Sequence, residues 1–250
     1  MEDQSKVKAS FVGLDNLIED IFGLNAKAFK SIWASFSKPK SYAEAATHAN
    51  WLDAFTPTVR VWFGLVAFYS ALRFFYGSED GAMTQMYVQM FEAAIAENPE
   101  SPFAEVNLAL LAQSVLKWTF LFFPFIMLAL YAFIALVFRV WPDKPGFVIR
   151  FRYVMLTVLP GTALTALLTI TYLFFEGPIL AMIMFANLSA TLLFDGVTAY
   201  RGTLHSIKQR NRLWLSIVLA IFLFILFAIG SYLAGIPAGA AAMMELTPKG

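Results

Sequence analysis

Long runs of apolar residues alternate with short polar segments along most of the chain. Five runs have about the 17–25 residues that cross a bilayer core as a helix. They are Val59–Tyr76, Trp118–Phe138, Tyr153–Phe175, Ile179–Gly196 and Leu213–Ala234. Tyr and Trp residues lie near both ends of these runs, as they do at membrane interfaces. The pattern predicts an all-α, polytopic membrane helical bundle with five transmembrane helices.

Two further segments have apolar residues at three- and four-residue spacing, with polar residues on the other faces. The first covers residues 11–36 and includes Phe29 and Trp33, and the second covers residues 82–97 and includes Phe91. Helices of this kind lie along a membrane surface with the apolar face down. We therefore predict two interfacial amphipathic helices. For the first segment, packing on the protein's own cytoplasmic loops is the alternative.

If the five runs cross the membrane one after another, most of the positive charge lies on one side of it. Of the 18 Lys and Arg residues, 15 fall before or at the start of the first run and in the loops 139–152 and 201–212. Because Lys and Arg concentrate in cytoplasmic loops, we predict a cytoplasmic amino terminus and an external carboxyl terminus. The short loops and the absence of Cys favour a multi-pass protein of the bacterial inner (plasma) membrane.

Three regions follow from this threading. Residues 1–56 form a cytoplasmic amphipathic amino-terminal region, and residues 57–234 form the five-helix transmembrane domain with an outer loop at 77–117. Residues 235–250 follow the last run as a short external tail, which we expect to be loosely ordered. Ser101-Pro102 is expected to start the helix that continues into the second run.

The composition agrees with a membrane protein and offers little chemistry. The chain is 59% hydrophobic and 14% charged, too apolar for a soluble domain of 250 residues with a polar exterior. It has no Cys, and its two His residues form no zinc-type pair. No Gly-rich phosphate-binding loop is present. We predict no catalytic residue, no metal and no cofactor, and therefore no enzyme.

Polar residues form two stripes that the hairpin of the third and fourth runs brings together. They are Thr162, Thr165, Thr169, Asn187 and Asp195. Ser and Thr in membrane helices bond across to neighbouring helices or back to their own carbonyls. The stripes therefore indicate a polar seam that holds the two helices together. A path for a solute or a proton is the alternative.

Asp195 is the acid of this seam, about one turn from the inner end of the fourth run. An acid at membrane depth is costly unless it is paired or lines a wet path. We predict a charged, structural carboxylate that is held by Arg150, Arg152 or Arg201. A proton or ion relay is the alternative.

The basic inner loops have a second use besides setting the topology, because cationic clusters at the cytoplasmic surface bind anionic phospholipids. The predicted lipid contacts are Arg150, Arg152, Lys208, Arg210 and Arg212. The predicted partners are therefore the lipid bilayer, its anionic phospholipids and other membrane protein subunits, without nucleic acid.

Several short motifs are shared with a group of bacterial membrane proteins. They are Phe22-Gly23-Leu24-Asn25, Lys38-Pro39 and Phe55-Thr56-Pro57, followed by Phe123-Pro124 and Arg150–Pro160. On these residues the chain resembles an inner-membrane family of unknown function and, more loosely, the YIP-type five-span membrane proteins. The resemblance implies a small helical bundle and carries over no activity and no functional residue.

These observations favour a non-enzymatic integral membrane scaffold, an accessory subunit of a larger inner-membrane complex. The alternative is a small transporter or lipid-handling protein that uses the polar seam between the third and fourth runs. A lipid-modifying enzyme is a third possibility, and it lacks a nucleophile–base pair.

Overall fold

The computed structural model describes residues 25–246 apart from 49, 73–80, 102, 104, 142–143 and 176. These residues form α-helices and no strand. In chain order the helices are α1 (Ala26–Ser37), α2 (Pro39–Ala45), α3 (Trp51–Ala54), α4 (Thr58–Ala71), α5 (Ala82–Glu97), α6 (Leu108–Val137), α7 (Phe147–Thr169), α8 (Gly177–Thr198) and α9 (Gln209–Leu246). A 3₁₀ turn (Ile170–Leu173) follows α7, and a π-helical turn (Ala199–Thr203) follows α8.

Four helical segments are long and apolar enough to cross a membrane. They are Leu108–Val137, Phe147–Tyr172, Gly177–Thr203 and Gln209–Leu246. Each exceeds the roughly 20 residues that a bilayer core requires. Gly177–Thr203 and Gln209–Leu246 each contain a whole predicted run, and the other two contain all but the last one to three residues of theirs. The prediction of an all-α fold is confirmed for the described part of the chain, and four of its helices are candidate membrane spans.

The first predicted span is only partly described. Helix α4 has 14 residues, and its length of about 21 Å is less than the roughly 30 Å of a hydrocarbon core. The remainder of the predicted run, from residue 73 to 76, lies outside the described residues. A fifth span therefore stays a prediction.

The chain folds into two compact units. The first comprises residues 1–68, 131–166 and 187–223, and the second comprises residues 69–130, 167–186 and 224–250.

The first half of α7 lies in the core of the first unit, and every residue from Tyr153 to Gly161 is buried. Apart from Thr157 the stretch is almost entirely apolar, which suits a helix surrounded by others. Trp62 of α4 is also buried, and its ring meets the Tyr131 ring of α6 edge to face at 5.9 Å between centroids.

Helices α1–α3 form a small platform at the amino-terminal end of the first unit. Ser31 Oγ accepts a hydrogen bond of 2.9 Å from the backbone amide of Thr56, which ties α1 to the start of α4. Tyr42 of α2 is fully buried, and burial raises the pKa of its phenol. Arg152 of α7 lies over the Trp51 ring at 4.8 Å from the centroid.

The platform contacts the π-helical turn after α8. A Cβ on Gly202 would lie 2.9 Å from Pro39 Cβ and 3.0 Å from the Pro39 carbonyl oxygen, so only glycine fits at this approach. Beside it, His205 Nε2 lies 3.5 Å from Glu44 Oε1. The turn and the platform are therefore packed backbone to backbone.

Helix α1 covers the end of the first predicted amphipathic segment, whose residues 11–24 lie outside the described part of the chain. Its buried residues are the small Ala28, Ser31 and Ser35. Of its large apolar residues, Trp33 is 71% exposed and Phe29 is 47% exposed, whereas the Phe36 ring packs edge to face on Phe194. The protein covers the small face of the helix and leaves Phe29 and Trp33 exposed.

In the second unit, α5 has the bounds 82–97 that the apolar spacing predicts for a helix. Its Tyr87 and Phe91 pack on a buried cluster formed by α6 and α9. The cluster members are Leu111, Val115, Ala238 and Ala242.

The prediction of a loosely ordered tail after residue 234 is wrong, because α9 continues through Gly235 and Pro237 to Leu246. Packing of Ala238 and Ala242 on α6 stabilises this extension, since small residues let helices approach closely in membrane proteins. Glu245 then accepts hydrogen bonds from three α6 side chains, namely Ser114 (2.7 Å), Lys117 (2.7 Å) and Trp118 (3.0 Å).

The prediction that Ser101-Pro102 starts the next helix is also wrong, because α6 begins at Leu108. Asn107 caps it, and its Oδ1 accepts a hydrogen bond of 3.1 Å from the Leu110 amide. Asn is a stronger N-cap than the residues around it. Helix α6 then runs unbroken through Pro124.

Candidate functional site

The candidate site lies in the first unit, where α7 and α8 face each other with polar residues at four-residue spacing. Thr157, Gly161 and Thr165 follow one another on α7, and Asn187, Thr191 and Asp195 do so on α8. Residues four apart share one face of a helix. Each helix therefore presents one polar stripe, and we call the two facing stripes together the seam.

Hydrogen bonds close the middle of the seam. Thr165 Oγ1 donates to Asn187 Oδ1 at 3.2 Å and lies 3.3 Å from Thr191 Oγ1. Asn187 is buried, so its amide requires such partners. The structure thus brings together two of the residues that the sequence placed here, Thr165 and Asn187.

The other two threonines of the predicted seam are placed differently. Thr162 Oγ1 donates to the Val158 carbonyl of its own helix at 2.8 Å, which is the local bond that helical threonines commonly make. Thr169 is buried and belongs to the second unit.

Asp195 is buried against α7. A Cβ added to Gly161 would lie 2.6 Å from Asp195 Oδ1 and 2.7 Å from Thr191 Cγ2. Among the described residues the Asp195 Oδ1 atom has no hydrogen-bond partner, and the Gly161 backbone interacts with the carboxyl group. The two helices therefore touch here at the one α7 position that has no side chain.

The prediction that an arginine holds Asp195 is wrong for Arg150 and Arg152. Arg150 Nη1 donates to the Leu136 carbonyl at 3.1 Å, and Arg152 Nη1 donates to the Ala46 carbonyl at 2.8 Å. These carbonyls lie at the ends of α6 and α2, where helices leave acceptors unsatisfied and attract cations. Arg201, the third arginine we considered, is exposed.

The remaining predicted lipid contacts lie around the start of α9. Lys208 and Arg210 are exposed. Arg212 is half-buried, with its guanidinium 4.5 Å from the centroid of the Tyr200 ring.

Two threonines that the sequence analysis did not select, Thr157 and Thr203, form hydrogen bonds at one end of the seam. Thr157 Oγ1 donates to the Tyr153 carbonyl at 2.9 Å and lies 3.2 Å from Thr203 Oγ1. The Thr203 carbonyl in turn accepts a bond of 2.8 Å from Trp141 Nε1. The spacing of Thr157 from Gly161 and Thr165 was a usable signal, whereas the π-helical turn that rotates Thr203 toward α7 leaves none in the sequence.

The seam offers hydroxyl, amide and carboxyl oxygens and no nucleophile–base pair. Across the residues that the structure describes, no three His, Asp or Glu side chains come together as metal ligands. The chemistry available to the seam is hydrogen bonding and, at Asp195, proton exchange.

Known proteins offer no guide to the function of this chain. No family model, curated protein or solved structure matches the chain. The residues of the chain itself are therefore the basis for its proposed function.

Proposed function

We propose that this protein is a non-enzymatic integral membrane scaffold, an accessory subunit of a larger inner-membrane complex. The observation that carries the proposal is the closure of the seam on itself. Thr165 is bonded to Asn187, and at Gly161 there is no room for a methyl group beside Asp195. Polar groups packed this tightly hold the two helices together at these positions.

Helix α8 supports the accessory role because the chain covers so little of it. In its most apolar stretch 11% of the residues are buried, compared with 61% in that of α7. Its Phe185 is 73% exposed, and the small Ala186 and Ser189 lie beside it. Large apolar residues next to small ones are what a transmembrane helix of another subunit packs against.

The first test is the composition of the complex. Purified from its native membrane into lipid nanodiscs, the protein is expected to carry other subunits at a fixed ratio. Replacing Met182 and Phe185 together by Ala should release them, because each truncated anchor weakens an interface by more than about 1 kcal/mol. The control replaces Phe125 and Phe133 of α6, which are similarly exposed. A chain that is alone in every preparation, or an equal loss from both pairs, would contradict the proposal.

A small transporter that uses the seam is the second candidate function. The unpartnered Oδ1 of Asp195 favours it, since buried acids in membranes often relay protons. We expect reconstituted protein to move neither protons nor solutes. Asp195→Asn should fold and melt at least as high as the native chain, because an uncompensated buried charge is costly. Flux that Asp195→Asn abolishes in a folded protein would replace the scaffold by the transporter.

The proposed membrane arrangement has five spans, the first being the predicted run Val59–Tyr76. It places the amino terminus in the cytoplasm of a bacterium and lets the free Trp33 face of α1 and the Met90 face of α5 rest on the two membrane surfaces. The Lys and Arg distribution supports this orientation. The likeness to YIP-type proteins is part of the same proposal.

We expect reporter fusions placed after Gly81 and at the carboxyl terminus both to be external. A fusion in the loop 201–212 serves as the control and should be cytoplasmic. A cytoplasmic reporter at either of the first two sites would contradict the five-span arrangement, and an amino-terminal reporter that is external together with both of them would indicate four spans.

A further inference from the structure

An open apolar groove of about 550 Å³ runs between α8 and the first part of α9. Leu192, Leu193 and Val197 line it from α8, and Leu213, Ile217 and Ile221 line it from α9. All twelve lining residues belong to the first unit, and Arg201 is the one charged residue among them. Such a lining suits hydrocarbon with a polar group at one end.

The groove has the length of one membrane leaflet. Its lining on α8 extends from Ser189 to Tyr200, a rise of roughly 16 Å. A hydrocarbon core is about 30 Å thick, so this is close to half of it. The groove also lies within the candidate span Gly177–Thr203, where lipid chains are the solvent.

The polar end of the groove is cationic and preorganised. Arg201 and Tyr200 both line this end. The Arg212 guanidinium lies over the Tyr200 ring, and its Nη1 and Nη2 donate to the His205 carbonyl (3.3 Å) and to the Tyr200 hydroxyl (3.5 Å). A guanidinium has five N–H donors, so two bonds leave others for an anion. Arginine is the side chain best suited to hold a phosphate through paired hydrogen bonds.

We propose that this groove binds one anionic phospholipid, with an acyl chain between α8 and α9 and the headgroup phosphate at Arg201 and Arg212. The apolar lining accepts the chain, the length matches one leaflet, and the two arginines complement the negative charge. The site does not depend on the scaffold proposal, because a transporter or a scaffold would hold the lipid equally well. Among the basic residues of this loop, it gives Arg201 and Arg212 a role that Lys208 and Arg210 do not share.

The test is native mass spectrometry of the detergent-purified chain with added phosphatidylglycerol or phosphatidylcholine of identical acyl chains. We expect the first phosphatidylglycerol to bind at least tenfold more tightly than phosphatidylcholine. Arg201→Gln should weaken phosphatidylglycerol binding about tenfold, the loss expected for one charge-assisted bond. Arg201→Gln with Arg212→Gln should bring it to the level of phosphatidylcholine. Leu193→Trp, which places a bulky ring in the groove, should weaken both lipids.

The matched control is Arg210→Gln, which removes an exposed charge from the first turn of α9 without touching the groove lining. It should change phosphatidylglycerol binding less than twofold. Equal losses from Arg201→Gln and Arg210→Gln would show diffuse attraction to the loop and overturn the site. Equal binding of the two lipids, or no bound lipid, would also overturn it. Thermal melting of each variant without added lipid checks its fold, and since Arg201 is exposed, that variant should melt like the native chain.

Discussion

Gly161→Ala is expected to lower the free energy of unfolding by about 1–3 kcal/mol, the usual result of overpacking a core. The new methyl group would lie 2.6 Å from Asp195 Oδ1 and 2.7 Å from Thr191 Cγ2. Both atoms are carried on short side chains of α8, so that helix must move away from α7. The same change in an uncrowded helix would instead stabilise it by up to about 1 kcal/mol. Denaturant titration in detergent micelles measures the difference.

The control is Gly196→Ala on α8, where the added Cβ lies 3.5 Å from Ala220 Cβ, an ordinary contact. It should be neutral or slightly stabilising. Adding Asp195→Ala to Gly161→Ala removes one of the two clashing groups and should recover part of the loss. If Gly161→Ala is as stable as Gly196→Ala, the close approach of α7 and α8 at this position is wrong.

Gly202→Ala is expected to loosen the platform from the turn after α8. The added Cβ would lie 2.9 Å from Pro39 Cβ, 3.0 Å from the Pro39 oxygen and 3.1 Å from its carbonyl carbon, and the last two are backbone atoms that cannot rotate away. A local cost of roughly 2 kcal/mol corresponds to about thirtyfold more of the open form. Tryptic cleavage after Lys40, which is exposed, should accelerate by that factor.

Gly146→Ala is the matched control for this experiment, because a Cβ there meets nothing within 4 Å. It should leave the rate of cleavage after Lys40 unchanged. Equal rates for the native chain and Gly202→Ala would mean that the contact between Pro39 and Gly202 does not hold the platform.

The apolar runs predicted four of the long helices because hydrophobicity is the property that a membrane span requires. The same scale does not show which part of α1 the protein covers, because the covered face consists of Ala28, Ser31 and Ser35. Close packing there selects small side chains, which a hydrophobicity pattern ranks below Phe29 and Trp33. The sequence therefore predicts that a helix exists better than it predicts which face the protein covers.

The predicted ends of the helices show the same limit of a sequence-based prediction. The apolar run predicts that the last helix ends before residue 235, yet packing of Ala238 and Ala242 against Leu111 carries it through Gly235 and Pro237. These contacts join residues more than 100 positions apart, and no local pattern reports them.

The candidate site was predicted in part. Four-residue spacing placed Thr165, Asn187 and Asp195 on facing stripes, since spacing is a property of the chain alone. The partner of Asp195 was not predictable in this way. Arg150 and Arg152 bind carbonyls at helix ends instead, and which acceptor a guanidinium reaches depends on the tertiary fold.

Helix α9 is too long to lie entirely within the hydrocarbon core of a membrane. A helix of 38 residues extends about 57 Å along its axis. At the steepest usual tilt of about 40° it would still rise roughly 44 Å against a hydrocarbon core of about 30 Å. More than one helical turn must therefore emerge from the lipid, and at its carboxyl end Glu245 is fastened to Ser114 and Lys117. The carboxyl end of α9 is thus tied to α6, so that a label on the neighbouring, exposed Met244 would report a fixed position beside α6.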